Sequence, residues 1–201
     1  MRITVRCYTG MVNQLEEAAR RVQGGLVPML RGHRGFLGYA AFGSEQGDLV
    51  SCSIYKDAAA ADRSYDEVRG WVQTNLAPLL SDRQPQVFSG EVMDHAMASP
   101  QSGGQHQSLY CMVREYEGVP AEEEFRPVIK ETLAALQKGA GFRGVYVVRN
   151  PQAPSRLMSV LFCESGASAD RLFNEITQVA LPPSMTQRVV ASGQTSVLTM
   201  A

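Results

Sequence analysis

Apolar and polar positions alternate over residues 2–8, with Ile3, Val5 and Cys7 on one side and Thr4, Arg6 and Tyr8 on the other, the period-two pattern of a strand. Over 11–30 the period lengthens. Met11, Leu15, Ala18 or Ala19, and Val22 recur at helical spacing, while Gly24, Gly25 and Pro28 weaken the end of that helix. Residues 35–42 and 48–55 are short strand-like runs joined by the turn-forming Gly43-Ser44-Glu45-Gln46-Gly47, which predicts a hairpin. A second helix is expected over 58–79, with Tyr65, Val68, Val72, Leu76 and Leu79 along one face, and a closing strand over 86–93.

The second half repeats this order, with strands near 108–116, 142–149, 156–163 and 186–199 and helices near 120–138 and 167–180. Short matches mark the repeat. Val5-Arg6-Cys7-Tyr8 returns 108 positions later as Val113-Arg114-Glu115-Tyr116, and Ala61-Asp62-Arg63 returns at the same offset as Ala169-Asp170-Arg171. Between them, Gly35-Phe36-Leu37-Gly38 recurs at offset 106 as Gly141-Phe142-Arg143-Gly144. The expected organisation is a first module over 1–95, a Ser-, Gly- and Gln-rich linker over 96–107, and a second, diverged module over 108–201.

A βαββαβ order is the ferredoxin-like arrangement, an antiparallel sheet with both helices on one face. Its other face needs a cover. The fold class expected is therefore α+β, with two tandem ferredoxin-like modules whose sheets meet face to face as an intramolecular dimeric α+β barrel enclosing a cavity. On this reading the apolar set Ile3, Val5 and Cys7, with Leu109, Cys111 and Val113, sits under the helices. Arg6, Tyr8 and Ser51, with Arg114, Tyr116 and Ser159, then look into one polar-lined cavity between the sheets. A guanidinium there either forms an ion pair that fixes the docking of two sheets, or binds the oxyanion of a ligand through its planar fork.

Trp71 is the only tryptophan, and Asn75 lies one helical turn beyond it. The pair reads either as a core anchor or as a wall of a pocket with two hydrogen-bonding groups. At offset 108 the second half has Val179 and Pro183 instead, so a pocket is expected on the first half's helix. The run Glu122-Glu123-Glu124 reads as a helix first turn, where carboxylates meet the positive end of the dipole. His33, His95 and His106 have no metal-ligand spacing with each other or with Cys and acidic residues, so no metal site is expected. There is no phosphate loop or nucleophile elbow.

Composition narrows the field further. Nineteen basic and twenty acidic residues leave a formal charge of -1, without the basic footprint of a nucleic-acid or anionic-membrane binder. The four cysteines Cys7, Cys52, Cys111 and Cys163 are scattered and mostly fall in apolar runs, which suits a reduced, cytoplasmic setting. Neither a signal peptide nor a membrane span is read from the chain.

The Gly35-Phe36-x-Gly38 start of the second strand, the Trp71 helix and the closing strand through Ser89-Gly90-Glu91-Val92 resemble the antibiotic biosynthesis monooxygenase family. That family belongs to the dimeric α+β barrel superfamily, and the match covers most of 1–95 and, more weakly, 108–199. Members oxidise aromatic polyketide-type substrates with molecular oxygen and without metal or flavin, or degrade haem. In the cofactor-free type, the resemblance implies a cavity that binds an electron-rich phenol, removes its proton and holds the anion near oxygen. Trp71 and Asn75 match in kind and helix position and are the expected catalytic residues; Arg6, Tyr8, Ser51, Arg114 and Tyr116 are the expected substrate-binding set. The haem-degrading type uses a helix-borne histidine and an asparagine on the first strand, neither of which is present, so no cofactor is expected. The implied activity is a cofactor-independent monooxygenase acting on a small aromatic or quinone-type compound. The alternative is a non-catalytic ligand-binding or stress-associated barrel, and an isomerase- or decarboxylase-like member of the superfamily would use a similar cavity. Fused halves cover each other's bare faces, so a monomeric pseudo-dimer is expected, with further association through outer edges or helices left open.

Overall fold

The computed structural model describes residues 1–81, 83–98, 108–177 and 181–200. Strand β1 (Arg2–Tyr8) leads into a 3-10 turn (Val12–Gln14) and a continuous helical run: α1 (Leu15–Arg21), a π turn (Val22–Leu26) and α2 (Val27–Arg31). The hairpin β2 (Phe36–Gly43) and β3 (Leu49–Tyr55), helices α3 (Ala58–Asn75) and α4 (Ala77–Leu80), and strand β4 (Gln86–Met97) follow. The same order then recurs as β5 (Tyr110–Glu117), α5 (Glu122–Leu136), β6 (Phe142–Asn150), β7 (Ala153–Cys163), α6 (Gly166–Thr177) and β8 (Thr186–Met200). Most of the expected linker, 99–107, lies outside the described residues. No described helix is long and apolar enough to cross a membrane.

All ladders with a recorded register are antiparallel. The hydrogen-bonded order β1-β3-β2-β8-β5-β7-β6-β4 closes on itself, an eight-stranded barrel. The chain divides into two compact units, 1–91 with the end of the chain from Thr195, and 92–194. In the first, β1 pairs with β4 and β3, and β2 pairs with β3 and with β8 through Phe42 and Thr195. In the second, β5 pairs with β7 and with the first part of β8, and β7 pairs with β6.

Local chemistry explains the repeated Gly-Phe-x-Gly. Gly35 and Gly141 have φ of 91° and 83°, left-handed values that favour glycine. A Cβ on Gly35 would stand 2.8 Å from that of Ala60, and one on Gly141 would stand 2.7 Å from that of Ser168. Each glycine thus lets the chain turn into a strand beneath the first turn of the following helix. The starts of those helices are capped: Asp57 accepts the Ala60 N–H at 2.7 Å, and Ser165 Oγ accepts the Ser168 N–H at 3.2 Å. Glu122, Glu123 and Glu124 occupy the first turn of α5, as expected.

The helix weakened on paper by Gly24, Gly25 and Pro28 does not end there. It widens into a π turn, in which the Val27 N–H bonds the Val22 carbonyl, and continues. The reason is Trp71: a Cβ on Gly25 would lie 2.8 Å from Trp71 Cζ2, so the indole of α3 packs where glycine leaves room. Asn75 fastens the same joint. Its Nδ2 donates to the Trp71 carbonyl at 2.9 Å, and its own carbonyl accepts Arg21 Nη1 at 2.6 Å.

Both faces of each sheet are buried, and the assignment of faces is the reverse of the expected one. In the first unit, Tyr8, Tyr39, Leu49 and Tyr55 form one core with Val22, Leu26, Leu30 and Leu76 of the helices. In the second, Met112, Val145, Leu157 and Leu161 pack with Phe125, Ile129, Leu133 and Leu172. The Thr4-Arg6-Tyr8 and Met112-Arg114-Tyr116 sides therefore face helices. Ile3, Val5 and Cys7, in register with Ile54, Cys52 and Val50, form the opposite face, as do Cys111 and Val113. Periodicity separates the two faces of a strand, but it says which one a helix covers only when the other meets water.

Among the described residues, one buried charge sits on that opposite face. Glu115 is 3% exposed and is held by Arg156 and by Arg188, whose Nε and Nη2 lie 3.0 and 2.5 Å from Glu115 Oε2. Burial alone would raise its carboxyl, but hydrogen bonds from the two guanidiniums, with their charges, outweigh burial and hold it below the ordinary value of 4.5. This interaction ties β5 to β7 and β8.

Two outcomes follow from this packing. Trp71→Ala lowers stability by about 2–3 kcal/mol and Gly25→Ala by about 1–3 kcal/mol, read as shifts in urea midpoint at constant slope. Glu115→Gln costs about 1–3 kcal/mol at pH 7. Because the folded carboxyl titrates below its unfolded value, its contribution is present above pH 4.5 and fades as pH falls through the folded pKa. Denaturant melts at pH 7 and below pH 4 check this: the difference between wild type and variant shrinks at the lower pH.

Candidate functional site

The second unit holds a cavity between α5, α6 and the helix-facing side of its sheet, with about 750 Å³ of empty space counting its open mouth. Its walls are apolar: Phe125, Ile129 and Leu133 from α5, Val145 and Val147 from β6, and Leu157 and Leu161 from β7. Alternation along β5 sends Arg114 and Tyr116 into this space, and Arg114 is the register partner of Ser159 on β7. The three polar residues expected from the second half thus meet at one wall.

Arg114 is 8% exposed. Its guanidinium carbon lies 3.0 Å from the centroid of the Phe173 ring, and its Nε donates to Met112 Sδ at 3.3 Å. Among the described residues, no carboxylate comes within ion-pairing distance of it. Burial pulls its pKa down, partly opposed by Tyr116 and Asp170, yet a guanidinium stays charged in any ordinary protein environment. Tyr116 Oη and Ser159 Oγ stand 3.5 Å apart, which leaves both hydroxyls with bonding capacity. An apolar slot with a buried cation that has no ion-paired carboxylate among the described residues, and with two hydroxyls, suits an apolar body carrying an ionisable oxygen.

In the first unit Arg6 is half-buried and borders two recesses. One is lined by Arg2, Thr4, Ser53, Tyr55, Asp62 and Ser64. The other is lined by Tyr8, Val72, Arg69 and Arg83, and Tyr65, Val68 and Val87 border both. Burial raises the Tyr8 and Tyr55 hydroxyls, with Arg6 opposing it at each and Ser64 also opposing it at Tyr55. Ser51 borders neither recess and instead hydrogen-bonds Tyr39, whose hydroxyl is pushed up chiefly by burial.

These recesses are covered by helices, and each is lined by one unit's residues. Trp71 and Asn75 line none of them; they hold α3 to the π turn and to α1. The apolar cavity belongs to the second half, not to the Trp71 helix. Sequence reading missed Phe173, Thr132 and Gln187, which also line it. A signal existed for Phe173. It lies 108 positions after Tyr65, so an aromatic ring on the second helix accompanies the strand arginine in both halves. Neither described histidine lines these recesses: His33 Nε2 is 2.9 Å from Glu67 Oε2, and His95 stacks on Tyr146. His106 lies outside the described residues.

No family model matches the chain, and no curated protein matches it in sequence. Solved structures do match in fold. A protein of Fusobacterium nucleatum provisionally assigned as a monooxygenase aligns with a TM-score of 0.73 and 14% identity over 99% of this chain and 94% of its own. One from Lactobacillus acidophilus with the same provisional assignment gives 0.71 and 11% identity over 99% and 95%. An anthrone oxidase-like protein gives 0.63 and 11% over 99% and 92%. Chlorite dismutase of Candidatus Nitrospira defluvii also shares the fold, at 0.62 and 12% over 96% and 90%. At these identities the likeness is one of fold, and it extends over nearly the whole of this chain.

Proposed function

We propose that the protein is a tandem member of the antibiotic biosynthesis monooxygenase type, two ferredoxin-like modules in one cytoplasmic chain acting as its own pseudo-dimer, and that it binds an electron-rich aromatic compound in the Arg114 cavity. The observation that carries this reading is the Arg114 guanidinium, buried without a carboxylate partner among the described residues beside two hydroxyls in an apolar slot. A neutral ligand leaves that cation uncompensated. A phenolate or enolate neutralises it, so the cavity favours the ionised ligand and lowers its pKa.

Ionisation is the activating step for oxygen chemistry. An anthrone-type enolate is electron-rich enough to reduce dioxygen directly. In the balanced reaction its methylene becomes a carbonyl with one oxygen atom of O2, and the second oxygen leaves as water with the two methylene hydrogens. Arg114 holds the anionic oxygen, and Tyr116 and Ser159 supply hydrogen bonds to it. The names borne by three of the structural neighbours are consistent with this class.

A second reading rests on the same lining. Among the described residues that line the cavity, Tyr116 and Arg114 are the titratable ones, and none is a histidine or carboxylate that would act as a general base. A barrel that binds aromatic anions without turning them over fits that observation.

An oxygen electrode with anthrone and a hydroquinone, corrected for spontaneous autoxidation, separates the two. The monooxygenase reading expects oxygen uptake above background that falls about 10²-fold in Arg114→Gln, and less in Arg114→Lys, with melting temperatures near wild type. Binding of the same compounds without uptake transfers the function to the non-catalytic reading, and no binding at all overturns both.

A further inference from the structure

The recesses of the first unit have a different chemistry from the Arg114 cavity. Arg2, Arg6, Arg69 and Arg83 border them, against one carboxylate, Asp62. Three other cations of this unit are engaged: Arg20 and Arg21 pair with Glu17, and Arg31 donates to Thr199. None of the four bordering arginines has a carboxylate at ion-pairing distance among the described residues. Two of them are oriented. Arg2 Nε donates to Ser89 Oγ at 3.1 Å, itself 2.8 Å from Thr4 Oγ1, and Arg83 Nη1 donates to the Leu80 carbonyl at 3.1 Å. The chain's formal charge of -1 conceals this local positive excess.

Comparison at offset 108 shows how the difference arises. Arg6, Tyr8 and an aromatic residue on the second helix have counterparts in Arg114, Tyr116 and Phe173. Thr4, Ser53 and Ser64, which border the first unit's recess, correspond to Met112, Leu161 and Leu172. The same strand arginine is therefore set among polar groups in one half and apolar groups in the other. Tyr65 and Val87, 51% and 56% exposed, supply an apolar rim to the basic recess.

We infer that the first unit carries a second ligand site, distinct from the Arg114 cavity, for a small molecule with an apolar or aromatic body and a doubly charged anionic group, either one phosphate or two carboxylates. Arg6 lies where the two recesses adjoin and meets the anion. Arg83 and Arg69 complete the charge, and Tyr65 and Val87 cover the body. The site stands whether or not the monooxygenase reading holds.

Isothermal titration with 1-naphthyl phosphate, naphthalene-1,8-dicarboxylate and the non-ionisable 1-methoxynaphthalene tests it on the whole chain. Binding of either charged probe is expected, weakening with added salt and falling about tenfold in Arg6→Gln and again in Arg83→Gln, while Arg114→Gln leaves it unchanged. Preference between the charged probes tells phosphate from dicarboxylate. Arg69→Gln, an exposed change on α3, provides a variant whose folding is not in question and is expected to weaken binding too. The inference is overturned if neither charged probe binds, if 1-methoxynaphthalene binds as well as they do, if the Arg6→Gln, Arg83→Gln double variant binds normally, or if Arg114→Gln abolishes binding.

Discussion

A guanidinium buried against a phenyl ring, with no carboxylate at ion-pairing distance among the described residues, sets the chemistry of the second unit. Arg114 and Glu115 are neighbours in sequence and opposite in charge, yet they do not neutralise each other, because successive residues of a strand point to opposite faces. Glu115 is satisfied on its own face by Arg156 and Arg188. Arg114 is left on the helix-covered face with Phe173, Met112 Sδ and space. The pleat keeps the cation available, and a one-residue slip of β5 would exchange the two charges between faces.

Space exists on that face because helices stand farther from a sheet than their backbone needs when the intervening side chains do not fill the gap. On the opposite face, Val5, Val50, Cys52, Cys111 and Val113 are all 3% exposed or less. Phe42, Phe88 and Phe162 share it, in register with Val50, Val5 and Cys111, so the face is predominantly apolar. Glu115 is the exception, and it needs two arginines to remain.

Element order, the hairpin turn and the repeated Gly-Phe-x-Gly were legible because each has a local cause: period, turn chemistry or a left-handed glycine. Pairing Arg114, Tyr116 and Ser159 on one wall was legible too, since strand alternation and the repeat place them together. Which side of the sheet they face was not, because alternation loses its direction when both faces are dry. Trp71 and Asn75 show another limit. Their spacing puts them on one helix face, but only the π turn at Gly25, a tertiary accommodation, reveals that this face meets α1 and not a pocket. Buried Glu115 had a sequence signal, a charge standing where the first half has Cys7, whose meaning depended on Arg156 and Arg188 arriving from other strands.

The barrel by itself selects no reaction, since structures carrying names as different as anthrone oxidase-like protein and chlorite dismutase superpose on this chain at similar scores. Discrimination has to come from what lines the cavities. An apolar slot with one cation and hydroxyls can stabilise an oxyanion, but it has no imidazole or carboxylate for proton transfer among the residues that line it. Such a site activates only ligands acidic enough to ionise under the pull of Arg114. On the proposed reading that restriction is itself a specificity, for phenols and enols whose anions are delocalised over alcohols of the same size. The recess around Arg6 imposes the opposite filter, because its four guanidiniums favour a charge already present on the ligand. On the two proposals, Arg114 and Arg6 thus select by different properties, ionisability in one cavity and standing charge in the other.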